Sequence, residues 1–383
     1  MAGVLIPASR HAVRALKVLA SRRLRSSLAA ASPRDFKTRD AGVCDPARIL
    51  DSPDISLYCL DHASGSAIFV DSDCEHIDAA AFLYQAQARH ARALISVPFA
   101  VLHELANAVS LGSTRLALVY STGRCGSTLV SRALGGNPFV RSLSEPDAFT
   151  NLVSLSIEGR VSGEELRKLL RSCMLLQLAP HICRSSPRLI AVKFRSFVVA
   201  LAQELHEVFP EAKGVFLYRH AVGYFRSVAR ILRQHRWDEL SAPAPQMLAA
   251  MRGLVPLLDE HARVRSEAPS TAEVIACMWA SAMQDALKLL RKDTQTLAIR
   301  YEDVQEDARS AMRALFSFLE VGGIDEEALD GILREDSQAG SSLGRAGLAS
   351  RAGRLTDEVV ENMLSCLRAV APRLSPDMRL PSA

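Results

Sequence analysis

The stretch STGRCGSTLVSRAL, Ser121 to Leu134, follows directly on the apolar run RLALVY. A strand that breaks into a small, polar, glycine-bearing turn and restarts as a helix offers an anion unpaired backbone N–H groups and the positive end of the helix. The amides of Cys125, Gly126, Ser127 and Thr128 are those donors here, and Arg124 adds a cation. A nucleoside-triphosphate loop reads G-x-x-x-x-G-K-[ST], its lysine reaching the β- and γ-phosphates. In this chain Ser127 stands in the lysine position and Ser121 in that of the first glycine. Taken alone, the stretch is either an anion cradle of another kind or a tight strand–helix turn with incidental polarity. A third chemistry is a thiolate: a cysteine at a helix N-terminus has a lowered pKa and can attack an electrophile. The cysteine phosphatase loop spaces its arginine as C-x5-R. Six residues separate Cys125 from Arg132, which turns that arginine away from the anion and disfavours this reading.

These residues need elements to hold them. From Arg115 onward, strand-like runs (RLALVY, FVRSL, RLIAVKF, GVFLYRH, TLAIRYE) alternate with helical stretches such as EELRKLLRSCMLLQLA and SFVVALAQELHEVF. Ser270 with Glu273 forms a capping box that opens the helix TAEVIACMWASAMQDALKLLRK. Strands alternating with helices predict an α/β fold, a three-layer α/β/α arrangement with a central, mainly parallel, P-loop-like sheet. Ligands of such sheets bind at the carboxyl ends of the strands. Arg124, Lys193, Arg219 and Tyr301 all fall at strand ends.

Ahead of this main domain, assigned to residues 111–375, lies a small N-terminal layer at 41–110 that serves as scaffold or lid. DISLYCLDHASGSAIFVDSDC reads as a hairpin, and residues 78–110 as helix broken at Pro98. Residues 376–383 read as a tail. The leader 1–40 carries seven Arg/Lys and no acid over its first 34 residues, leaving 39 basic and 42 acidic residues elsewhere. The basic balance thus belongs to one end and excludes a nucleic-acid-binding body. Val13, Leu16, Ala20, Leu24 and Leu28 recur there at helical spacing. The composition is that of a mitochondrial or plastid transit peptide, the alternative being a disordered tail on a cytoplasmic protein. No run approaches a membrane span. The eight cysteines form no C-x-x-C pair, which argues against a zinc module or a disulfide framework.

Taken together, the strand-end motifs resemble those of sulfotransferases that use 3′-phosphoadenosine 5′-phosphosulfate (PAPS). STGRCGSTLV resembles the family's 5′-phosphosulfate loop, P-[KR]-S-G-T-T-[LW]. VFLYRHAVGYFRSV resembles its 3′-phosphate segment, with Arg219 closing a strand and Ser227 eight residues on. IRYEDV matches a Tyr-Glu-Asp stretch whose tyrosine, Tyr301 here, contacts the nucleotide. VKF supplies the strand-end Lys193, and GSSLGRAGLASRAG resembles a late loop over the 3′-phosphate, offering Ser341, Ser342 and Arg351. The resemblance spans about residues 115–370. Two anionic ends require two groups of donors, and a charge-assisted bond from Arg219 with the Ser227 hydroxyl suits the second.

The resemblance implies sulfuryl transfer from PAPS to an acceptor hydroxyl or amine without a metal. The acceptor is a small molecule, glycan or peptide, with no nucleic-acid partner, and a homodimer is left open. Lys193 would neutralise charge on the departing phosphate. The histidine base of the cytosolic branch is replaced by Arg195. The tyrosylprotein branch has a glutamate 21 residues beyond the loop arginine, which is Glu145 here, with Asp147 as fallback base. The alternative for Glu145 is a helix-start carboxylate paired with an arginine. Trp279, His206 and His220 read as core, scaffold and motif filler. The competing functions are a P-loop kinase or nucleotide hydrolase, disfavoured by the missing lysine, and a non-catalytic nucleotide-binding module.

Overall fold

Two five-stranded sheets of opposite construction organise the chain. The computed structural model describes residues 12–21, 29–73, 77, 80–234, 241–263, 267–292, 295–322, 325–335 and 355–381. These divide into two compact units. The first runs up to Thr114 and includes Glu145–Leu152 and Val161–Pro187; the second holds Arg115–Ser144, Val153–Arg160 and the chain from Arg188 onward.

In the first unit, β1 (Arg14–Ser21), β2 (Phe36–Val43), β3 (Ile55–Asp61), β4 (Ser66–Asp71) and β5 (Ala93–Pro98) form an antiparallel sheet in the order β2-β1-β5-β4-β3. The expected hairpin is β3–β4, and it turns on Gly65 at φ +62°, a conformation glycine takes without strain. Two stretches differ from the sequence reading. Arg14–Ser21, expected on a helical stripe of the leader, is an interior strand, and Phe36 begins its partner. Ala93–Pro98, expected as helix, is the central strand between β1 and β4. In both, pairing along the strand overrides local helical spacing, as strand preference is set by neighbours more than by the backbone. The helix Gly163–Ser185 belongs to this unit although both strands that flank it in the chain, Val140–Ser144 and Leu189–Lys193, belong to the other.

In the second unit, β6 (Arg115–Ser121), β7 (Val140–Ser144), β8 (Leu189–Lys193), β9 (Lys213–Tyr218) and β10 (Thr296–Arg300) form the expected parallel sheet, order β10-β9-β6-β8-β7. The strands read as continuous apolar runs because both faces are covered. On one face Ala117, Val119, Ala191, Val215 and Leu217 pack with Val130 and Leu134 of the helix Ser127–Gly135 and with Met312 and Leu315 of the helix Ala308–Leu319. From the other, Tyr120 stacks on Phe194 with ring centroids 5.5 Å apart. The chain leaves central β6 first toward β7 and β8, then returns to β9 and β10. β6 is therefore the topological switch point, beside which such sheets bind ligands. The expected capping box closes at Ser270, whose hydroxyl accepts from Glu273 N–H while the Glu273 carboxylate accepts from Ser270 N–H. The segment read as a tail is bonded in place: Pro376 C=O accepts from Ala221 N–H at 2.8 Å, and Leu380 N–H donates to Tyr218 Oη at 2.9 Å. No helix of the described residues is long and apolar enough to cross a membrane.

Candidate active site

The loop after β6 turns on left-handed backbone at Gly123 (φ +79°), Arg124 (φ +54°) and Gly126 (φ +78°). Such turns gather successive N–H groups into an anion-binding concavity. Ser127 and Thr128, buried, open the helix that follows. Thr122 N–H donates to Leu217 C=O at 3.0 Å, which ties the loop to β9. A Cβ at Gly126 would lie 3.1 Å from the Tyr301 ring, tight enough to press that ring aside by a few tenths of an ångström.

Cys125 is not an anion-facing nucleophile. It is fully buried, and its Sγ donates to Leu217 C=O at 3.3 Å. Burial pushes its thiol up, with the Ser121 and Thr122 side chains and the Lys193 charge only partly offsetting that. The lowered pKa that the sequence suggested is thereby corrected: desolvation of the sulfur outweighs the helix terminus. Only its backbone N–H is left to serve a ligand.

Arg219 directly follows β9 and comes to the loop. Its Nη1 donates to Arg124 C=O at 3.5 Å, and its guanidinium carbon stands 4.6 Å from the centroid of the Tyr301 ring. Trp279 Nε1–H donates to Arg219 C=O at 2.9 Å and fixes its backbone. Ser227, on the helix Ala221–Gln234, accepts from Arg124 Nε at 3.1 Å. Arg124, Gly126, Arg219, Ser227 and Tyr301, dispersed over 178 positions of sequence, thus form one cluster. Two guanidiniums share it. Burial lowers the Arg124 pKa, and the Arg219 charge acts in the same direction. An arriving anion relieves both penalties.

Lys193 ends β8 with only 2% of its surface exposed and donates from Nζ to Ser144 Oγ at 3.4 Å. Ser144 and Lys193 are register partners at the ends of β7 and β8. Glu145 follows with left-handed backbone (φ +61°). Asp147 is fully buried, and its Oδ2 accepts from Ala31 N–H at 2.5 Å. Arg195, buried, lies against the Phe197 ring. Ser341, Ser342 and Arg351 lie outside the described residues.

Sequence reasoning missed Ser144, Trp279 and Glu302 as site neighbours. Ser144 had a signal, a polar residue closing a strand beside Lys193. Trp279 sits mid-helix within an apolar face and carried none.

The family model for the sulfotransferase domain matches residues 116–339, more than half of the chain. The chain belongs to the sulfotransferase family. The matched span contains the loop, Lys193, Arg219, Ser227 and Tyr301. Among solved structures, the sulfotransferase domain from the curacin biosynthetic pathway is 17% identical, covering 70% of this chain and 99% of that one (TM-score 0.37). Sulfotransferase STF9 from Mycobacterium avium is 11% identical over 73% of this chain and 81% of its own (TM-score 0.40). Retinol dehydratase, solved with androsterone and the inactive cofactor PAP, is 12% identical over 75% and 89% (TM-score 0.37). No curated protein matches the chain.

Proposed function

We propose that this sulfotransferase takes its sulfuryl group from PAPS and passes it to an acceptor hydroxyl or amine by in-line displacement. The observation that carries the reading is the seating of Arg219, which is stacked on Tyr301 with Nη1 against the loop carbonyl of Arg124. A donor with two anionic ends suits a cluster of two guanidiniums, a buried ammonium and a glycine turn.

In this reading the amides of Cys125 to Thr128 and Arg124 hold the phosphosulfate end. Arg219 and Ser227 hold the 3′-phosphate, and Tyr301 flanks the nucleotide. Lys193 and Arg124 neutralise charge growing on the leaving phosphate. Glu145 takes the acceptor's proton. Its support is the 21-residue spacing from Arg124 and its backbone. Arg124 and Glu145 are two of the four non-glycine residues in the left-handed region among the described residues, and such outliers concentrate where a side chain must be aimed.

The test is thermal. At roughly 100 times its dissociation constant, 3′,5′-ADP stabilises the fold by about 2.7 kcal/mol, while ATP–Mg gives no comparable rise in Tm. A larger rise with ATP–Mg overturns the reading in favour of a kinase.

A further inference from the structure

Four polar atoms of one cluster are buried without a hydrogen bond: Arg219 Nε, Arg300 Nε and both carboxylate oxygens of Glu302. They face one another. Glu302 Oε1 lies 3.7 Å from Arg219 Nε and 3.4 Å from His220 Nε2, and Oε2 lies 3.1 Å from Arg300 Nε. His220 Nδ1 accepts from Gly223 N–H at 3.1 Å, so the ring hydrogen belongs on Nε2, toward the carboxylate; Asp377 stands 4.0 Å from the same Nδ1. One carboxylate therefore serves two guanidiniums, which leaves one positive charge over.

The arrangement has a direction. Glu302 is next in sequence to Tyr301, whose ring supports the Arg219 guanidinium, and it addresses the Nε edge of that fork. The Nη1 atom is at the loop. We infer that Glu302 is a positioning residue, which holds the Nε edge of Arg219 so that its Nη edge is presented to the donor's 3′-phosphate. This rests on the reading above. The carboxylate touches neither donor nor acceptor; it aims the arginine, and it keeps two cations together in the absence of ligand. A glutamine offers one oxygen and no charge, so it loses the aim while keeping the volume.

The experiment compares binding of 3′,5′-ADP and 5′-AMP by calorimetry in wild type, Glu302→Gln, Glu302→Asp and Arg219→Ala. The ratio of the two affinities isolates the 3′-phosphate. Glu302→Gln is expected to lower that ratio about tenfold, with the ligand-free Tm also falling as the two guanidiniums lose their counter-charge, and Glu302→Asp to recover part of the ratio. An unchanged ratio in Glu302→Gln, an equal loss for both nucleotides included, overturns the positioning role. If Glu302→Gln fails to fold, the ratio in Glu302→Asp decides: a partial loss supports the role and a wild-type value overturns it. The underlying reading fails separately, if Arg219→Ala leaves the 3′,5′-ADP affinity intact.

Discussion

Inside the antiparallel-sheet unit, the buried Asp147 accepts from Ala31 N–H, and the half-buried Asp35 accepts from Tyr58 Oη at 2.7 Å. Gln87, buried, spans Ser56 Oγ and Leu57 C=O at 2.8 and 2.9 Å. Asn151 donates to Ala31 C=O and accepts from Leu60 N–H. At the carboxyl ends of the parallel sheet the balance is different. Arg124, Lys193, Arg219 and Arg300 gather there, and Arg219 Nε and Arg300 Nε, buried, have no hydrogen bond. Both units bury polar groups at a desolvation cost. In the first, neutral donors and acceptors offset part of that cost, although Gln87 Oε1 and the Gln177 amide have no hydrogen bond; in the second, Glu302 faces both Arg219 and Arg300, which leaves one positive charge for a ligand. The contrast separates polar groups that maintain a fold from those that do chemistry.

Three perturbations break or sharpen this contrast, beyond the nucleotide and Glu302 tests. The largest effect is expected from Glu145→Gln, which should cost about 10²–10⁴-fold in kcat while leaving the 3′,5′-ADP affinity at its wild-type value. Full turnover in that variant removes Glu145 as the base.

The second concerns pH. His206, buried beside Tyr120, is held by desolvation at about 4, below its ordinary 6.5. The unfolded chain therefore binds the extra proton first. Stability contributed by the neutral ring is complete above pH 6.5 and is lost as pH falls toward 4, by up to about 3 kcal/mol. Chemical denaturation at pH 7 and pH 5 should show the loss, and His206→Gln should flatten it. An equal pH slope in both proteins would assign the loss to other groups.

The smallest is Asp147→Ala. Leaving the Ala31 amide without its acceptor should destabilise the fold by about 1–3 kcal/mol, with no change in affinity for 3′,5′-ADP. A weakened affinity in this variant would erase the distinction between the two kinds of buried polar group.

Much of the parallel sheet was legible because its strands are apolar runs, four of which lead into a residue of marked chemistry: Arg124 in the loop after β6, Lys193 at the end of β8, Arg219 just past β9 and Tyr301 just past β10. Run length and the terminal residue carry that information locally. β1 and β5 were read as helix because their apolar residues also fit a helical spacing, and the deciding partners lie far along the chain: Leu16 pairs with Leu94 and with Asp40. The same distance hid Trp279 and Glu302, whose roles depend on which carbonyl or guanidinium they meet. For Cys125 only the direction of the thiol shift was misread, because a helix start is visible in sequence, whereas burial of its sulfur is not. Arg219 and Ser227 were singled out because their spacing resembles the family's Arg–Ser pair. What spacing could not supply is that Ser227 bonds the loop arginine, so that the two segments form a single cluster.

The bond from Ala221 N–H to Pro376 C=O has a temporal consequence. The ribosome makes the turn carrying Arg219 some 150 residues before the proline that satisfies the next helix's first amide. Folding during synthesis can thus assemble the central strands early. The corner around Arg219 is finished only after Pro376 has emerged.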